Sequence, residues 1–189
     1  WQKEQATEEY MRSPNREVMD IDQFISQHLT PEDSVLNSRF AAAGYSATVG
    51  DFANKLRVQQ STERGQFKVE QARASFYDFA RQTVMRGIDG NEPPEKIISR
   101  VRDLYPSFGA QLRLSNGDMD ESVMALATEL ARDTGRADVV EGLLLRERTG
   151  ADGVLIPSIA AKSGKTAHAY QIVEAARNTE TEHLRAVSG

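Results

Sequence analysis

Apolar side chains recur along this chain at three- and four-residue steps, the period of a helix, in separate runs divided by turn residues. After a polar lead-in, Ser13-Pro14 opens a predicted helix with Val18, Ile21, Phe24, Ile25 and Leu29 on one face, proline being tolerated in the first turn. Thr30-Pro31-Glu32-Asp33 reads as a second start: Thr30 is the N-cap, Pro31 follows at N1, and two carboxylates sit near the positive helix end. Val35, Leu36, Phe40 and Ala43 are then expected to face inward, with Gly44 as the C-cap.

The next run is the longest. About forty residues, Ser46 to Arg86, read as helix throughout, without proline and with glycine only at Gly50 and Gly65. Val49, Phe52, Ala53 and Leu56 share a face. From Arg57 to Gln66 the only large apolar residue is Val58, before the stripe returns at Phe67, Ala74, Phe76, Phe79, Ala80, Thr83 and Val84, with Gly87 as the expected end. Gly65 marks either a bend or a place where another backbone approaches; one helix is favoured over a hairpin because no turn cluster surrounds it. A helix polar on most sides needs neighbours to persist, so this element points to lateral packing against other chains.

Asp89-Gly90-Asn91 is turn chemistry, and Pro93-Pro94-Glu95 starts a helix carrying Ile97, Ile98, Val101 and Leu104, ended at Tyr105-Pro106. Residues 107–117 are expected to be loop or a single turn. Asp118 or Asp120 caps a helix with Val123, Leu126, Ala127 and Leu130 buried. A second helix from Arg136 carries Val139, Val140, Leu143 and Leu144, and the short link Asp133-Thr134-Gly135-Arg136 predicts an antiparallel hairpin. No second copy stands at a fixed spacing, so a repeat array is not supported. Thr149 to Gly153 is a turn, Val154-Leu155-Ile156-Pro157 an extended apolar plug, and Lys165 to Val187 a closing helix with Ala169, Ile172, Val173 and Ala176 on one side. The reading is an all-α fold, a long helix plus helical hairpins, elongated and oligomeric, in segments 1–45, 46–117 and 118–189.

Composition narrows the chemistry. Cysteine is absent, which removes disulfides, catalytic thiolates and Cys-rich zinc sites. No stretch approaches the ~18–20 apolar residues of a membrane-spanning helix. A start at Trp1 points to a piece of a longer polypeptide. The net charge of −5 is uneven: residues 1–33 carry three basic and eight acidic side chains, residues 114–152 four and nine, and residues 46–113 eleven and eight. A mildly positive middle between acidic flanks is far from the dense basic footprint of a tight nucleic-acid binder.

Motif by motif, the plain reading prevails. Ser163-Gly164-Lys165-Thr166 has the tail of a phosphate-binding loop, but Ile159 occupies the position of the required first glycine. Glu121-Ser122 has the Glu-Ser pair of lytic transglycosylases, without the downstream Gly-Leu-Met-Gln pattern and with Asp118 and Asp120 beside it in an exposed first turn. His28, His168 and His183 lack partners at i+3 or i+4 and read as surface residues; Asn116 to Asp120 lacks the calcium-loop order and reads as a turn. No catalytic, cofactor-binding or metal residues are assigned, and no enzymatic activity is expected. Arg57, Arg64 and Lys68, at steps of seven and four, share one side of the long helix and are the candidates to face DNA or an adjacent subunit, although Glu63 and Glu70 lie nearby and Glu70 can pair with Arg73. Phe52, Leu56, Phe76 and Phe79 are the candidates for helix packing.

The segment Ala125 to Arg177 contains Ala-Thr-Glu-Leu-Ala-Arg-Asp-Thr-Gly-Arg-Ala-Asp-Val-Val-Glu-Gly-Leu-Leu, then Arg-Thr-Gly-Ala-Asp-Gly, an Ile-Pro and a closing helix. In this pattern, covering roughly the last third of the chain, it resembles the internal virion (ejection) proteins of short-tailed bacteriophages that build a periplasmic tunnel for the genome. The resemblance implies a mostly helical structural protein, stored in the virion and released into the host cell envelope. There it assembles with itself and other ejection proteins as a ring or tube through which double-stranded DNA passes. Two rivals remain: a helical adaptor holding a partner peptide on the hairpin at 120–147, and a peptidoglycan-cleaving enzyme centred on Glu121.

Overall fold

The computed structural model describes residues 2–31, 35, 38–150 and 152–188. It is 81% helix and 2% strand, an all-α protein. The elements are α1 (Gln2–Arg12), a 3-10 turn (Arg16–Val18), α2 (Ile21–His28), α3 (Arg39–Asp89), α4 (Pro94–Leu112), α5 (Asn116–Asp133), α6 (Ala137–Leu145), β1 (Arg148–Thr149), β2 (Leu155–Ile156), α7 (Ile159–Lys162) and α8 (Thr166–Ser188). Among the described residues no helix is long and apolar enough to cross a membrane. The chain divides into two compact units, Trp1–Lys68 and Val69–Gly189. The division falls inside the long helix.

The first unit opens on a helix where the sequence suggested a polar lead-in. Its buried residues are Ala6 and Tyr10, one turn apart, too few to register as a stripe. The segment after Ser13 is not the helix start expected: α2 begins at Ile21, where the Asp20 side chain accepts from the Asp22 and Gln23 amides, and Val18 is exposed. Ala6, Tyr10, Ile21, Phe24, Ile25 and Leu29 close on Phe52, Ala53 and Leu56 of α3. The buried Gln60 amide donates to the carbonyls of Arg16 and Met19 at 2.7 and 2.8 Å, which pins the 3-10 turn to α3.

The proposed cap at Thr30 involves Glu32, Asp33 and Leu36, which lie outside the described residues. From Arg39 onward the sequence expectation fails: α3 is already under way, Gly44 lies within it, and Phe40 and Ala43 are exposed. The helix is unbroken at Gly65 and continues through Gly87 to Asp89.

In the second unit, Ala72, Phe76, Ala80 and Val84 repeat every four residues along α3 and enter a core shared with α4 to α8. Helices α5, α6 and α8 pack on one another, and α4 packs on α5 and α6. Helix α4 runs through Pro106 to Leu112, where Arg113 turns left-handed at φ 53°, so proline does not end it as expected. Helix α5 is capped by Ser115 and not by Asp118 or Asp120: Ser115 and Asp118 form a reciprocal capping box. The residues that looked like a turn, Asn116 to Asp120, are therefore helical.

Two glycines permit close helix contacts. At Gly135, with φ +62°, a Cβ would lie 2.5 Å from the Glu180 amide nitrogen of α8, and at Gly142 it would lie 2.0 Å from Ile98 Cδ1 of α4. The extended segment after Gly153 pairs as β2 with β1, antiparallel, Arg148 opposite Ile156 and Thr149 opposite Leu155. It does not plug the core, because Val154 and Leu155 face solvent.

Candidate functional site

The outward side of α3 in the first unit carries the features that the core does not use. Phe40 is 90% exposed and Val58 68% exposed. With Ala47, Asp51, Asn54 and Gly65 they recur at three-, four- and seven-residue steps, which places them on one face of the helix, and each is exposed. A Cβ added at Gly44, Gly50 or Gly65 would meet nothing within 4 Å. The result is an exposed seam with Phe40 and Val58 as its large apolar residues, Ala47, Asp51 and Asn54 between them, and Gly65 two turns beyond.

The basic trio is mostly engaged within its own unit. The Arg57 guanidinium pairs with Asp22 and also donates to Asn54 Oδ1 at 3.2 Å, and Arg64 Nε donates to the Glu17 carbonyl. Only Lys68 makes no hydrogen bond or ion pair among the described residues. Glu63 pairs with Arg16 at 3.0 Å. Glu70 contributes only a longer-range charge to Arg73, which binds Asp118 instead and has Glu121 at 3.4 Å.

The packing residues divide between the two cores. Phe52 and Leu56 are buried in the first unit, and Phe76 is fully buried in the second. There Phe76 meets Tyr105 and Phe108 edge-on at 5.4 and 5.3 Å. Phe79, expected to join them, is 56% exposed and only leans edge-on against Phe108 at 5.6 Å. All four thus contact their own chain.

The second unit holds a polar node that the sequence did not announce. Asp120 is buried; its Oδ1 accepts from the Tyr105 hydroxyl at 2.8 Å and its Oδ2 from Lys162 Nζ at 2.6 Å. Burial, and after it the Asp120 charge, raises the Tyr105 phenol well above its ordinary value. A void of about 20 Å³ beside the node has room for one water. Nearby, burial and then the Glu129 carboxylate to which its hydroxyl donates push Tyr77 up to about 12. Glu129 also binds Arg81 at 2.7 Å, and the two contacts tie α3 to α5.

Because α5 begins at Asn116, Glu121 lies in its second turn and not the first; it is exposed, faces Arg73, and borders a groove of about 480 Å³ with Asn116, Met124, Lys162 and Lys165. The Asp120 carboxylate also lines that groove, where it is already held by Tyr105 and Lys162. Ser163 ends α7 and Gly164, at φ +67°, leads into α8; the short helix α7 stands between β2 and these residues, where a phosphate-binding loop has a glycine-rich turn. His28 differs from the surface reading: its ring stacks on Phe24 at 4.2 Å, Nδ1 bonds the Phe24 carbonyl at 2.8 Å, and Nε2 faces Glu9 at 3.0 Å. His168 and His183 are exposed. Among the described residues no group of three or more acidic or histidine side chains could hold a metal ion.

Comparison with protein-family models, curated proteins and solved structures finds no match to the chain.

Proposed function

We propose that the chain is a structural component of a phage genome-ejection apparatus, elongated and homo-oligomeric, forming part of a ring or tube through which DNA crosses the host cell envelope. The observation that carries the assembly part of this reading is the exposed seam on α3, Phe40, Ala47, Val58 and Gly65, in a helix whose inner-face residues are already consumed by the first unit's core. Large side chains next to open glycine and alanine positions let a second helix approach closely. The phage setting rests on the sequence pattern of Ala125 to Arg177, which also supplies the other ejection proteins as partners and the passage from virion interior to periplasm.

A conduit transmits DNA best when it grips it weakly, since each phosphate contact adds salt-dependent attraction. The internal engagement of Arg57 and Arg64 agrees with that requirement and leaves Lys68 as the member of the trio free to face DNA or a neighbouring copy. The assembly reading is tested on the full chain by sedimentation and electron microscopy, comparing wild type with the double substitution Phe40→Ser, Val58→Ser. The expected result is ring or tube particles for wild type and monomers of unchanged helicity for the variant. A wild type that stays monomeric at high concentration, or a variant that assembles as well as wild type, refutes it.

A further inference from the structure

Three arginines of the second unit converge on one groove from three elements. Arg102 comes from α4, Arg146 from the end of α6 and Arg148 from β1, and all three line a depression of about 630 Å³. Their counter-charges are unequal. Arg146 has Glu95 at 3.4 Å. Arg102 is half-buried, and its one hydrogen bond goes to the Arg146 backbone carbonyl at 3.0 Å, with no carboxylate partner. Arg148 has its guanidinium 5.8 Å from the centre of the Tyr105 ring and makes no ion pair. The nearest buried acid, Asp120, is already committed to Lys162 and Tyr105. Three carboxylates line the same groove: Glu95, paired with Arg146, and the exposed Asp103 and Glu147, which pair with none of the three arginines.

A partly desolvated guanidinium is normally matched by an acid, because burying unpaired charge is costly. Here the charged neighbour that most affects Arg102 is another arginine. Burial, followed by the Arg148 charge, depresses the Arg102 pKa, with Arg146 acting in the same sense. Such mutual repulsion is relieved by an anion between the guanidinium groups. A single carboxylate satisfies one planar fork, whereas donors arriving from three elements suit a tetrahedral group with several oxygens and more than one negative charge.

We infer that the groove between Arg102, Arg146 and Arg148 is a binding site for a phosphate group, taken up as the free ion or as a small phosphomonoester. The site is independent of the assembly seam, which lies in the first unit.

The test is thermal unfolding of the full chain with increasing inorganic phosphate at ionic strength held constant with chloride, repeated with glycerol 2-phosphate. Binding to the folded state alone raises the melting temperature by about 5 °C at a hundredfold excess over the dissociation constant. Arg102→Gln and Arg148→Gln abolish the rise, and Arg132→Gln, an exposed arginine beside Asp133, retains it. Because Arg102 also holds a backbone carbonyl, Arg148→Gln decides the matter should the first variant not fold. A larger rise with the ester assigns a phosphomonoester, and a rise with phosphate alone assigns the free ion. No rise in wild type beyond chloride, or an undiminished rise in Arg148→Gln, overturns the site.

Discussion

Replacing Asp120 by alanine removes the acceptor of one buried hydroxyl and the counter-charge of one ammonium, and these two losses are separable. Tyr105 is only 7% exposed, so once Asp120 is gone its hydroxyl has only the one-water void beside the node to turn to; an orphaned buried donor costs about 1–3 kcal/mol, the lower end applying when such a water takes the hydrogen bond. The Lys162 side chain is 31% exposed and can turn its ammonium to solvent, so that half of the node contributes about 0.5–1 kcal/mol. Asp120→Ala is therefore expected to destabilise the second unit by about 1.5–4 kcal/mol. Tyr105→Phe in the wild-type background loses one hydrogen bond, about 1 kcal/mol, but in the Asp120→Ala background it removes the orphan and is neutral or stabilising. Native-state hydrogen exchange at the slowest amides of α5 and α8 reads the free energy of this unit separately from the first. Should Asp120→Ala fall within about 0.5 kcal/mol of wild type, or Tyr105→Phe cost the same in both backgrounds, the node contributes nothing as a coupled unit and the reasoning fails.

The two phenylalanines paired by the sequence should part company: Phe76→Ala, at a fully buried site between two aromatic rings, is expected to cost about 3–5 kcal/mol and half-exposed Phe79→Ala under about 1, measured by urea unfolding. Gly135→Ala forces a Cβ against the α8 backbone at positive φ and should destabilise by about 2 kcal/mol or more, a drop in melting temperature visible by circular dichroism. Acid should weaken the second unit through three carboxyls. Asp118 is lowered by the Ser115 hydroxyl and then Arg73, Glu129 by the Tyr77 hydroxyl and then Arg81, and Asp138 by Arg136. A folded pKa below the unfolded value means stability present above the ordinary values of 3.8 and 4.5 and lost as pH falls below them through the folded values. The melting temperature should hold steady down to the upper of these and then decline, and Glu129→Gln should flatten part of the decline.

Much of the helical framework could be read from spacing alone. The stripe Ala169, Ile172, Val173, Ala176 and the two helices joined at Gly135 stand where the period placed them, because a buried helix face must be apolar at three- and four-residue steps whatever it packs on. Helix α1 escaped because Ala6 and Tyr10 suffice to hold it, and two apolar residues do not make a pattern. Pro106 misled because a break is its usual effect; here it sits on the exposed side of α4, where solvent can take the carbonyl it leaves unpaired. The sites were less legible than the helices. Arg57 meets Asp22, Asp120 meets Lys162 and Arg102 meets Arg148 across thirty-five to forty-six positions of chain, and no local spacing encodes such meetings. Only the open side of α3 could be anticipated, as a shortage of apolar residues between Arg57 and Gln66.

The glycines of α3 make that helix uneven in strength although it is continuous in geometry. Each one in a helix interior weakens it by about 0.5–1 kcal/mol relative to alanine; around Gly44 and Gly50 the Tyr45 hydroxyl on the Leu29 carbonyl and Val49 against the core offset part of that loss, whereas Leu56 and Gln60 clamp the turns that follow more fully. Backbone amides near Gly44 consequently open to solvent more readily than those near Leu56. Slack of this kind disappears when another surface settles on it, so slowed deuterium uptake at Gly44 and Gly50 is a built-in gauge of when α3 is covered.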